Sequence, residues 1–329
     1  MAARTFGRLN RLTIFGSAMR HGQLKSGVEK APALISKMNI ASKLRRHGHQ
    51  VKHWGMVYPK MRETTERTVG YYNQVLAKRV KRERDAGRRI INIGGDNSTS
   101  IGSINGVLHA NPDAIVVWVD AHPDINTQES SPSGNMHGMP LAYLTGLENP
   151  SNISKSKYLA PKLDFNSLAY IGIRDIDPFE RYIIDKKNIL NYTADDVESA
   201  GMDLVVDDLV QTLDPKGERP IFLTFDIDAI DPTIAPGTGT PVENGLDIID
   251  SLYLCNRLGS TGRLVGMDMV EVNPTLEDGN ETAKVASELI EATFSKQQEF
   301  NEEDLLRRAE KLFDDAAYKL FKAVKNELF

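Results

Sequence analysis

Short strand candidates alternate with helical stretches from one end of the chain to the other, and this alternation is its tightest constraint. The strand candidates are Leu12–Phe15, Gln50–Trp54, Arg89–Ile93, Ala114–Val119, Ser167–Ile173, Ile189–Tyr192, Ile221–Phe225 and Leu264–Met269. Apolar residues at helical spacing predict helices over Lys30–Arg46, Thr65–Asp85, Ser98–His109, Pro140–Thr145, Phe179–Lys186, Ala194–Leu213, Asp247–Leu258 and Ala283–Ser295. Two strands joined through a helix run parallel, because the crossover returns the chain to the end it left. The expectation is an α/β fold, a single domain with a mostly parallel eight-stranded sheet flanked by helices on both faces. No repeat, low-complexity tract or Pro/Gly/Ser linker divides the chain, so residues 1–300 are assigned to one domain.

Residues 301–329 are assigned to a C-terminal amphipathic helix, Glu302–Leu328. Leu305, Leu306, Ala309, Leu312, Phe313, Ala316, Leu320, Phe321 and Val324 recur there at helical spacing behind the N-cap residue Asn301. Its apolar face is expected to pack on the domain or between subunits.

A chain of 329 residues has ample length to bury such a core. Acidic residues outnumber basic ones by 45 to 40, for a net charge of -5, which argues against a nucleic-acid partner. The apolar runs are strand-sized, so no membrane span is expected. Cys255 is the only cysteine, which excludes an intrachain disulfide and a thiolate zinc site and fits a reducing compartment. A cytoplasmic location is expected. The alternative is mitochondrial, because Met1–Val28 is basic and has no acidic residue, although the first strand begins at about Arg11.

The chemistry gathers just after the strand candidates, where ligands collect in parallel sheets. Asp120, His122 and Asp124 follow Ala114–Val119, and Asp226 and Asp228 follow the run that begins at Pro220. Alternation along extended chain puts each set on one side. An isolated D-x-D is usually turn or cap chemistry. Two such sets with a histidine would repel one another unless cations held them, and carboxylate-rich sites suit Mn or Mg. Ile93-Gly94-Gly95-Asp96-Asn97-Ser98 links a strand to a helix, Ser133-Gly134-Asn135-Met136-His137-Gly138 offers a loop imidazole suited to proton transfer, and Glu271 ends the last strand with a carboxylate fit to pair with a cation.

In this order, with Gly22–Glu29 before them and Gly237-Thr238-Gly239-Thr240-Pro241 among them, these motifs resemble the ureohydrolase family, arginases most closely within it. The likeness runs from about Gly22 to Asn273. It implies an arginase-like α/β fold, two Mn ions per subunit, a homotrimer, and hydrolysis of a small guanidino substrate by a metal-bridging hydroxide. L-arginine, giving L-ornithine and urea, is the expected substrate. The family pattern carries metal-ligand roles onto Asp120, His122, Asp124, Asp226 and Asp228. Asp120 and Asp226 would bridge, Asp124 would complete the first ion, and His122 and Asp228 the second. His137 takes the proton-shuttle position, Glu271 the guanidinium carboxylate, and Asp124 also counts among the catalytic residues. Asn126, Ser131, Ser133, Asp177 and Thr240 take positions around the rest of the substrate.

The chain departs from that pattern at Asn97, where the family places a histidine on the first ion. An amide is a weaker donor to a first-row metal, so the first ion is expected to be the weaker one. Pro123 lies inside the metal motif, and Val242-Glu243-Asn244-Gly245 replaces small residues. Two other readings therefore stay open. One is a catalytically weak or silent homologue serving as a binding or regulatory subunit; the other is a ureohydrolase for agmatine or 4-guanidinobutyrate.

Overall fold

The computed structural model describes residues 10–160, 162–295 and 302–312, and its framework is one sheet of eight strands. These are β1 (Arg11–Ser17), β2 (Gln50–Val57), β3 (Arg89–Ile93), β4 (Ile115–Val119), β5 (Leu168–Ile173), β6 (Leu190–Thr193), β7 (Ile221–Asp226) and β8 (Leu264–Val270). Their order across the sheet is β2-β1-β3-β8-β7-β4-β5-β6. Every pairing is parallel, which bears out the expected eight-stranded, mostly parallel sheet. Strands covered on both faces are mostly apolar, without break in β4 and with a few buried polar residues in β3, β7 and β8, and these four fill the centre. β2 and β6 are partly exposed and form the edges.

The helices are α1 (Ala31–Lys37), α2 (Ile40–Arg46), α3 (Thr65–Asp85), α4 (Ser100–Ala110), α5 (Pro140–Thr145), α6 (Pro178–Lys187), α7 (Ala194–Ala200), α8 (Met202–Leu213), α9 (Ile248–Ser260), α10 (Glu281–Thr293) and α11 (Glu302–Glu310). Strand alternation sorts them into two cores. Ile91, Ile93, Ile115, Val117, Val119, Leu223 and Phe225 point to the face covered by α1, α2 and α7 to α10. Ile90, Val116, Trp118 and Phe222 point to the other, under α3 to α6.

Two helices expected as continuous are broken. Asn39, at φ 60°, separates α1 from α2, and Gly201, at φ 88°, separates α7 from α8. Both residue types tolerate the left-handed backbone that ends a helix. The helix expected from Ser98 begins as a 3-10 turn at Asn97–Thr99 before α4. In α11, Leu305 and Ala309 are buried in the first core, and Leu312 packs against it. The rest of the expected C-terminal helix, Phe313 onward, lies outside the described residues.

Candidate metal centre

The chain leaves β3 and re-enters the sheet at β4 with β8 and β7 between them, and the centre forms over the carboxyl ends of these four strands. Gly95 begins it. A Cβ there would lie 1.8 Å from the carbonyl oxygen of Met19, so only glycine lets the loop after β3 run this close to β1. Asp96 then accepts the Gly22 N–H at 2.8 Å and anchors the N-terminal loop, while the backbone N–H of His137 donates to Gly22 O at 3.0 Å.

After β4, Asp120 is fully buried. Its Oδ1 accepts the His122 N–H at 2.7 Å, and its Oδ2 accepts from Trp118 Nε1 at 3.0 Å and from Asn97 Nδ2 at 3.2 Å. Asp124 has φ 50° and Glu271 φ 61°, a left-handed backbone that non-glycine residues adopt at some cost and that is concentrated at functional sites. Two groups of ligand atoms, each within 4.8 Å, result: Asp120, His122 and Asp228 form one, and Asp120, Asp124 and Asp226 the other. Asp120 belongs to both. Asp226 joins only the second of these groups, although the resemblance gave it a bridging role.

The electrostatics are those of a site built around positive charge. Burial and then Asp228 push Asp120 up to about 7. Burial and neighbouring carboxylates hold Asp124 and Asp226 well above the usual carboxylate range. Burial opposes a charge on His122, but Asp228 and Asp120 outweigh it and keep the imidazolium well above the ordinary histidine range. Burial would also raise Asp228, yet His122 holds it below its ordinary value. A divalent cation held by Asp120, His122 and Asp228 would take the place of that imidazolium proton, since a ligating histidine is neutral.

The other expected residues converge on the same place. A cavity of about 150 Å3 is lined by His122, Asp124, Asn126, Ser131, Ser133, His137, Asp177, Asp226, Asp228 and Thr240. Asn97, Asp120 and Glu271 are buried and do not line it. In its wall, His137 Nδ1 lies 3.0 Å from Glu271 Oε1, and Asn126 Nδ2 donates to Asp177 Oδ2 at 2.8 Å. Thr240 Oγ1 donates to Asp228 Oδ2 at 3.0 Å.

Several contributors escaped the sequence reading. Glu180 lines the cavity and accepts the backbone N–H groups of Ile125 and Asp177, each at 3.1 Å. Arg174 donates to five backbone carbonyls, those of Gly172, Asp228, Ala229, Val242 and Glu243. It thereby clamps the Asp228 turn to the unusual 242–245 loop. Arg174 lies three residues before the expected Asp177, and Glu180 three after it as a helix-opening acid, so both signals were present. Tyr170 Oη donates to Pro123 O at 3.0 Å, which gives the proline inside the metal motif a fixed seat.

Parallel α/β architecture and a strand-end cluster of carboxylates with a histidine define a metal-binding hydrolase. The model of the Arginase family matches residues 10–295, and the chain belongs to that family. It is 36% identical to the hepatic arginase of Aquarana catesbeiana, over 87% of this chain and 93% of that protein. The arginase of Schizosaccharomyces pombe gives the same three figures. Among solved structures, the arginase of Bacillus subtilis superposes with a TM-score of 0.81 at 32% identity, covering 87% of this chain and 99% of that one. The Entamoeba histolytica arginase in complex with L-ornithine gives 0.79 at 36%, covering 87% and 98%.

Family and ligand groups together imply a binuclear metal site. The donors fit its two positions unequally. Asp120, His122 and Asp228 make a mixed nitrogen and oxygen set suited to a first-row divalent ion. The carboxylates of Asp120, Asp124 and Asp226 surround the other position, but Asn97 turns its amide nitrogen towards it, where the sequence reading expected the amide oxygen.

Proposed function

We propose that the protein hydrolyses L-arginine to L-ornithine and urea, with manganese as its metal. The carrying observation is the cavity's polarity. His137, braced by the buried carboxylate of Glu271, and the hydrogen-bonded pair Asn126 and Asp177 line the same cavity as the ligand groups. Arginine has the matching groups, with a guanidinium at one end and an amino acid at the other. The E. histolytica relative was solved with L-ornithine, the amine product of this reaction.

Glu271 would pair with the guanidinium and orient its carbon towards the metal ligands. A divalent cation on Asp120, His122 and Asp228 would supply Lewis acidity that readies a water for attack at neutral pH. With Nδ1 of His137 facing Glu271, its other ring nitrogen is left to pass a proton to the departing amine. Asn126, Asp177, Ser131 and Ser133 would bind the amino-acid end and hold the reacting carbon in place. Thr240 steadies Asp228 through its hydroxyl.

Urea release is the test, measured on arginine, agmatine and 4-guanidinobutyrate at saturating manganese with metal analysis alongside. Arginine should lead by orders of magnitude, because polar groups built for a carboxylate and an ammonium go unpaired on the other two. Comparable rates would make this a ureohydrolase of different substrate. No urea from any of them, in a metal-loaded protein, would leave the binding-subunit reading.

A further inference from the structure

Asn97 stands where three carboxylates converge, and its amide is held on both sides. Nδ2 donates to Asp124 Oδ2 at 2.7 Å and to Asp120 Oδ2 at 3.2 Å. Oδ1 accepts from Ser100 Oγ at 2.7 Å. Asn97, Ser100 and Asp120 are fully buried and Asp124 nearly so. Turning the amide over would set its oxygen against two buried carboxylate oxygens, an arrangement of acceptors that needs a proton or a cation to hold it. As it stands, the amide N–H2 supplies the positive partner those carboxylates need. An ion entering among Asp120, Asp124 and Asp226 must first break these two hydrogen bonds, and from Asn97 it gains an amide oxygen where an imidazole would be the stronger donor.

Resting on the hydrolase reading above, we propose that the Asn97–Ser100 pair takes the place of the first metal ion, so that the protein holds a single divalent cation, on Asp120, His122 and Asp228. The Asn97 amide is then a built-in hydrogen-bond donor rather than a weak ligand. It neutralises the Asp120–Asp124 pair without an ion and keeps the shared carboxylate, Asp120, oriented towards the remaining one. Ser100, three places along the same helical turn, holds the outer side of that amide through its hydroxyl.

The test uses the full-length protein and manganese alone. After equilibration and removal of free metal, elemental analysis should find about one ion per chain, with the electron paramagnetic resonance spectrum of an isolated Mn(II). A second ion should enter only at concentrations about a hundredfold higher. The Asn97→His/Ser100→Ala double variant should bind about two and show the broadened spectrum of a coupled pair. Asn97→Asp, nearly the same size but without the amide donor, should do likewise and guards against misfolding of the double variant; cooperative melting certifies each. Two ions of similar affinity in the natural chain would overturn the proposal. So would both variants folding and still stopping at one. Urea release is read separately. One ion with no urea refutes the hydrolase reading and leaves this inference standing, whereas two ions with urea does the reverse.

Discussion

Oε1 of Glu271 receives two donors at once, His137 Nδ1 at 3.0 Å and the backbone N–H of Asn97 at 2.7 Å. One carboxylate oxygen thus braces both the imidazole assigned to proton transfer and the turn that carries Asn97. Burial lowers the His137 pKa, but the charge and hydrogen bond of Glu271 outweigh it, and the net shift is upward.

Glu271→Gln removes that charge and leaves the burial. The His137 pKa should then fall, and with it the upper pH to which the ring stays protonated and able to donate. The alkaline limb of the urea-release profile should move to lower pH. Catalytic efficiency on arginine should drop on the order of a thousandfold as the guanidinium loses its ion partner. An unmoved limb would assign that limb to another group.

Asp177→Asn keeps the shape of the side chain that receives Asn126 and removes its charge. KM for arginine should rise about a hundredfold with a smaller change in kcat, while weak activity on agmatine stays near its starting value. Equal losses on both compounds would place Asp177 outside the amino-acid end.

Arg174→Lys should loosen the centre without touching a metal ligand. A single ammonium cannot reach five carbonyls that a planar guanidinium spans. We expect a loss of about 2–4 kcal/mol in unfolding free energy and weaker manganese binding at Asp228, read by denaturant melts and metal titration. Full metal affinity in a destabilised protein would show that the Asp228 turn holds itself.

Asp268 is buried in β8, where it accepts from Asn92 Nδ2 at 3.0 Å and from Ser103 Oγ at 2.5 Å. Burial pushes its pKa up to about 7, despite those hydrogen bonds. The folded state therefore binds this proton more tightly than the unfolded state. The resulting stabilisation is complete below about pH 4 and is lost as pH rises through about 7. Asp268→Asn should melt higher than the natural protein at pH 8, by up to a few kcal/mol, and the gap should close as pH falls towards 4. A gap that does not change with pH would mean that Asp268 does not titrate in this range.

What could be read in the sequence was whatever depends on local pattern. The central strands are legible because burial on both faces demands unbroken apolar runs, as in Ile115–Val119. Asp120, His122, Asp124, Asp226 and Asp228 stand out because their spacing survives without knowledge of the fold. The breaks at Asn39 and Gly201 were marked by residues that favour left-handed backbone, but helical apolar spacing ran across both and hid them. The face that Asn97 turns inward could not be read. It depends on Asp120 and Asp124 in the loop after β4, which meet Asn97 only once the sheet is assembled.

The strand order has a consequence for timing. β8 lies in the middle of the sheet between β3 and β7, yet it is the last strand in sequence among the described residues. Until it inserts, β3 and its Asn97 turn have no neighbour on that side, and the contact between Asn97 and Glu271 must wait for 174 further residues. A nascent chain halted before Leu264 would carry the histidine and all four aspartates and still lack the frame that brings Asn97 to them. The Asn97 turn is therefore seated at the end of synthesis rather than in its course.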